Sequence, residues 1–130
     1  MKEQIKKYVL DPMLFTSILV SLIGLLWIRE KQYIMAVLLF LSGISSYIHH
    51  YDNTDRFLYY DTFFSVISFI YSVYLARRLS VKGLYEISTI VIVAFFYYIL
   101  NIIYHEYYFH LMWHIMILIG QIYLFNNVML

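Results

Sequence analysis

The chain has 130 residues, 63% hydrophobic and 13% charged, with a formal net charge of +1 and a mean hydropathy of +0.73. Such a composition excludes a water-soluble globule with a polar surface, and so small a charge gives no basic field for nucleic acid. Cysteine is absent, which removes disulfide staples, thiolate ligands and cysteine nucleophiles, so any metal must be held by His and carboxylate.

In chain order, "MKEQIKKYVL" reads as a short amphipathic surface segment. Asp11 and Pro12 then start a first apolar span at 12–29, with an acid at the N-cap and proline at the first helical position. No small-residue cleavage site precedes the charged "REK" at 29–31, so this span is expected to be a retained helix rather than a signal peptide. Further spans are expected at 33–50, 57–77, 84–104 and 108–128, divided by "YDNTDR", "RRLSVKG" and the pair His105–Glu106. Each approaches the ~20 residues that a helix needs to cross a hydrocarbon core of about 30 Å. The fold class predicted is an all-α membrane protein, a bundle of about five transmembrane helices forming a single domain over 1–130. The 15 Tyr and 2 Trp crowd near the boundaries, as an interfacial aromatic belt does, and Gly24, Gly43 and Gly120 are expected to let helices approach closely.

Orientation follows from Lys and Arg. The loops at 29–31 and 77–83 carry Arg29, Lys31, Arg77, Arg78 and Lys82, whereas the opposite loops carry only Arg56. Loops alone put the N-terminus outside; counting the tail residues Lys2, Lys6 and Lys7 brings the two sides nearly level.

A five-helix path places the end of span 2, the start of span 3, the end of span 4 and the start of span 5 on one side, exoplasmic or luminal if the N-terminus is outside. The unusual residues fall there: Ser45, Ser46, His49 and His50 close span 2, Asp61 lies about one turn into span 3, and His110 and His114 open span 5. Ser46 and His50 are four apart, as are His110 and His114, so each pair shares a helical face. Two His at that spacing can grip one ion, and His50 would complete a three-His zinc site with an open position for water. Asp61 is then the candidate to orient that water or take its proton, and Ser46 the candidate donor to an oxyanion. Each element also has a plainer reading: His49 and His105 as interfacial residues, Ser46 back-bonded to a helical carbonyl. Asp61 is harder to read plainly, because a carboxylate inside a span is costly without a partner or cavity.

Ser-x-x-x-His at the end of one helix ("SYIHH", Ser46 to His50), Asp61 eleven residues on, and His-x-x-x-His at the start of the final helix ("HLMWH", His110 to His114) together resemble the alkaline ceramidase superfamily. That group of membrane hydrolases includes the progestin and adipoQ receptors and GPI-remodelling lipases. The resemblance implies a zinc ion held by His50, His110 and His114, with Ser46 and Asp61 beside its water, and hydrolysis of a lipid amide or ester, most closely ceramide. Members typically have seven helices where this chain has room for five, and no counterpart of the acidic N-terminal calcium site of alkaline ceramidases is evident. Loss of one helix pair keeps the motifs on one side. Ser45 with His49 repeats the spacing of Ser46 with His50, and the step to Asp61 favours His50.

Two other classes compete with a zinc hydrolase acting on a sphingolipid or other acyl lipid. One is a b-type haem protein, which the adjacent His110 and His114 disfavour because iron takes one His from each side of the porphyrin. The other is a non-enzymatic channel, proton path or assembly factor in which Glu86, Asn101, Gln121 and the His residues line a polar seam. Glu86 itself reads as a dipole partner near the start of span 4, and Asp52 and Asp55 as solvated loop acids or second-layer groups. Five helices are few to seal a lipid cavity, which leaves room for a homo-oligomer.

Overall fold

The computed structural model describes residues 12–52 and 55–128, and every element in it is a helix. The helices are α1 (Pro12–Arg29), α2 (Tyr33–Asp52), α3 (Asp55–Ala76), α4 (Val81–Tyr104) and α5 (Tyr107–Asn127). The all-α expectation therefore holds, with five helices among the described residues. The N-terminal segment, the Asp11 cap and the side chains of Asp52 and Asp55 lie outside what is described.

Length and composition divide the five. Over Tyr33–Tyr51, Val81–Tyr104 and Tyr108–Asn127 the chain is long and apolar enough to cross a membrane. These three helices make this a membrane protein. The first apolar helix, Leu14–Arg29, is shorter, and at about 1.5 Å rise per residue it falls short of a ~30 Å hydrocarbon core unless flanking residues contribute. The outward face of α4 carries a stripe of Ile92, Phe96, Ile99 and Ile103, each more than half exposed. At that helical spacing the stripe is one continuous apolar surface suited to lipid.

The chain groups into two compact units that divide between Tyr71 and Ser72, within α3. In the first, α1 packs closely on α2 around Leu14, Ile23, Trp27, Met35 and Leu39, all buried. Small residues set that approach. A Cβ on Gly24 would lie 2.8 Å from the Ala36 carbonyl oxygen, and one on Gly43 2.7 Å from both the Ser17 oxygen and the Ser21 nitrogen. Hydroxyls fill the remaining polar demand: Ser17 shares a 3.0 Å hydrogen bond with Ser46, and Ser21 donates to the Phe40 carbonyl at 3.1 Å. Ser42 and Ser65 pair at 3.3 Å and tie α3 to α2.

In the second unit, α4 and α5 form an antiparallel hairpin. Ser80 caps α4, its hydroxyl accepting from the Gly83 amide at 3.1 Å, so the helix starts three residues earlier than the apolar pattern alone implies. It ends at His105, whose left-handed backbone (φ 54°) directs its amide back to the Asn101 carbonyl. The hairpin turns over His105 and Glu106. Gln121, on α5, donates to the Ser72 hydroxyl at 2.9 Å.

Gly120 behaves differently from Gly24 and Gly43. A Cβ there would meet only the Ile90 Cγ2 atom, at an ordinary 3.5 Å, so the expected close approach is not found at this glycine. Gly120→Ala should therefore be neutral or stabilising by up to about 1 kcal/mol, since alanine is the better helix former. A thermal melt in detergent checks this, and a marked drop in midpoint would contradict it.

Candidate metal centre

The α4–α5 hairpin decides which side chains meet. With the chain reversing at His105–Glu106, residues equally far from that link face each other, which sets Asn101 opposite His110 and Tyr98 opposite Trp113. Both pairs are in contact. The Tyr98 and Trp113 rings lie 4.9 Å apart, and Phe95 meets Trp113 at 5.6 Å in a tilted contact. This aromatic layer lies along α5 between the levels of His110 and His114 and braces α5 against α4.

One turn nearer the hairpin tip, the Asn101 amide lies 3.0 Å from His110 Nδ1. His110 and His114 turn their Nε2 atoms toward each other, 3.1 Å apart, with ring centroids 4.8 Å apart. Two nitrogens bound at 2.0–2.1 Å to one tetrahedral zinc are separated by about 3.4 Å. The pair therefore already stands within a few tenths of an ångström of chelating geometry. Both rings are half-buried, which leaves an approach open while excluding most solvent.

In the first unit the other predicted residues fall at the end of α2 and in α3. Ser45 back-bonds to the Leu41 carbonyl at 2.7 Å, the role that was conceivable for Ser46. Ser46 instead is buried and bonded to Ser17. His49 and His50 stand side by side, ring centroids 5.0 Å apart. Asp61 is half-buried and accepts from the Ser65 hydroxyl at 3.4 Å. Asp61, Ser65 and Ser42 thus form a chain of polar groups that supplies the partner an intramembrane carboxylate needs.

His50, at the end of α2, belongs to the first unit, and the His110–His114 pair to the second.

Other polar residues gather at the far end of the hairpin. Tyr123 donates to the Glu86 carboxylate, and Lys82 approaches it at 3.9 Å. The early start of α4 leaves Glu86 beyond the first turn, so its partners are these side chains and not the helix dipole. Asn101 and the Glu86–Tyr123 pair are what sequence reasoning left unconnected. The hairpin symmetry about His105–Glu106 is the signal that joins them.

No protein-family model, curated protein or solved structure matches the chain.

Proposed function

We propose that this chain is a membrane hydrolase that cleaves an amide or ester bond of a lipid at a zinc centre held by His50, His110 and His114. The observation that carries the reading is the convergence of the His110 and His114 Nε2 atoms at 3.1 Å on a half-buried helical face. Imidazole pairs at this spacing suit zinc, and a set of ring nitrogens without several carboxylate or carbonyl oxygens disfavours calcium and magnesium. Bound zinc supplies an acidified water and a positive charge beside the scissile carbonyl.

The chain's own groups then have definite tasks. Asp61, hydrogen-bonded by Ser65, is the proton acceptor, and it would hand the proton on to the leaving group. Ser46 was the predicted oxyanion donor; its bond to Ser17 commits it to the α1–α2 contact, and donation to a substrate would require that bond to break. The exposed apolar stripe on α4 offers a surface along which acyl chains reach the centre from the bilayer. The likeness of "SYIHH", Asp61 and "HLMWH" to the alkaline ceramidase superfamily favours a ceramide-type amide as substrate, with the site on the N-terminal, exoplasmic or luminal side and the five helices as spans.

The test is hydrolysis by detergent-purified protein of a short-chain ceramide and a fluorescent acyl ester. Turnover should vanish on chelation, return with zinc, and fall by about 10²-fold or more in Asp61→Asn. A zinc-loaded protein that cleaves neither lipid sinks the enzyme reading. In that case the non-enzymatic polar seam becomes the better account, and the pairing of Ser46 and Asp61 with other hydroxyls favours it.

A further inference from the structure

The Asn101 side chain touches His110 on the nitrogen opposite the one proposed to bind metal, a contact that goes beyond the polar seam in which the sequence places it. We infer that Asn101 is the positioning residue of this centre: it selects which nitrogen of His110 carries hydrogen and so decides whether Nε2 can act as a ligand. The inference rests on the metal-centre reading above.

The argument starts from proton counting. A neutral imidazole has one N–H and one lone pair, and the partner of one nitrogen determines the state of the other. With the Asn101 Nδ2 group facing the ring, as it stands, the amide donates to His110 Nδ1. The hydrogen of His110 is then on Nε2 and points at His114 Nε2, 3.1 Å away. All three groups are satisfied, in a relay running from Asn101 through His110 to His114. In this arrangement His110 has no Nε2 lone pair to offer.

A half-turn of the amide reverses the relay. Asn101 Oδ1 then occupies the position of Nδ2, accepts the Nδ1–H of His110, and leaves the Nε2 lone pair free for a metal. The ring remains neutral, since its hydrogen only changes nitrogen through exchange with water. A hydrogen-bonded oxygen behind a ligating His is also what fixes ring orientation and raises basicity at the other nitrogen. The two-sidedness of the amide lets one residue serve both arrangements at the same distance, which neither a purely donating nor a purely accepting side chain can do.

Geometry gives Asn101 little alternative. It is half-buried one turn from the end of α4, and the hairpin register fixes it opposite His110. Leucine at this position preserves volume and removes both donor and acceptor, whereas aspartate keeps the acceptor oxygen.

The experiment measures zinc affinity by competition with a chromophoric chelator, together with ¹⁵N spectra of histidine-labelled protein in detergent. Asn101→Leu should weaken zinc binding by about 10- to 100-fold, the usual cost of losing such a partner. Asn101→Asp should stay closer to wild type, because it can accept Nδ1–H. Zinc should move the His110 resonance pattern from N–H on Nε2 to N–H on Nδ1 in wild type and in Asn101→Asp. Unchanged zinc affinity in a folded Asn101→Leu, or a His110 pattern that zinc leaves with hydrogen on Nε2, overturns the inference while leaving the metal centre standing. Wild-type protein that binds no zinc overturns the metal reading itself, and this inference with it.

Discussion

Replacing both His110 and His114 by alanine is expected to take bound zinc from about one ion per chain to background, read by plasma mass spectrometry on chelator-free protein. The size of the effect follows from chelation. Two imidazoles on one helical face, with Nε2 atoms already 3.1 Å apart, bind an ion without first having to be ordered relative to each other. Removing both leaves His50 as a single ligand, and one imidazole does not hold zinc against water. The fold should survive, because the two hydrogen bonds lost, between the rings and from Asn101 to His110, are worth about 1 kcal/mol each and the Tyr98–Trp113–Phe95 layer is untouched. Circular dichroism and gel filtration would verify that. Single variants extend the test: His50→Ala should lose zinc and His49→Ala should keep it, since the eleven-residue step to Asp61 favours His50 as the third ligand. Zinc retained by the double variant would place any bound metal elsewhere, and zinc lost equally in His49→Ala and His50→Ala would mean that the end of α2 acts as a folded whole.

Much of this architecture is legible in the sequence because bilayer solvation is a coarse and strong constraint. Apolar runs interrupted by "REK" and "RRLSVKG" mark the ends of α1 and α3 almost to the residue. The start of α4 was harder to read, since the Ser80 cap recruits Val81, Lys82 and Gly83 into the helix and hydropathy does not register capping. At the candidate site, the His110–His114 pairing is local, set by helical periodicity, and so was visible. Asn101 with His110 and Glu86 with Tyr123 depend on hairpin register, which becomes readable only once the turn is placed at His105–Glu106. Ser17 with Ser46 depends on the rotation of α1 against α2, which no local pattern encodes. The sequence therefore presents Ser46 only by its spacing to His50, and the bond to Ser17 emerges from helix packing.

The other large effect is expected at Gly43. A methyl group there would stand 2.7 Å from the Ser17 carbonyl oxygen and 2.7 Å from the Ser21 nitrogen, both backbone atoms of α1 that cannot rotate away. Relief requires α1 to retreat from α2 as a body, lengthening the Ser17–Ser46 bond of 3.0 Å and loosening the packing of buried Leu14 and Met35. Overpacking of this kind costs about 1–3 kcal/mol. Alanine's better helix propensity offsets about 1 kcal/mol of that at any helical glycine, so Gly43→Ala alone understates the clash. Gly120→Ala carries the same propensity gain with a Cβ in open contact at 3.5 Å, which makes it the proper reference. The difference between the two variants, measured by unfolding in detergent, should be about 1–3 kcal/mol with Gly43→Ala the less stable, and Gly43→Leu should be worse than either. Because Gly43 lies in the same helix as Ser46 and His50, zinc affinity should fall with Gly43→Leu although no ligand has been altered. Equal stability of Gly43→Ala and Gly120→Ala would show that α1 and α2 are held apart by more than a backbone contact, and the close serine-lined approach between them would have to be abandoned.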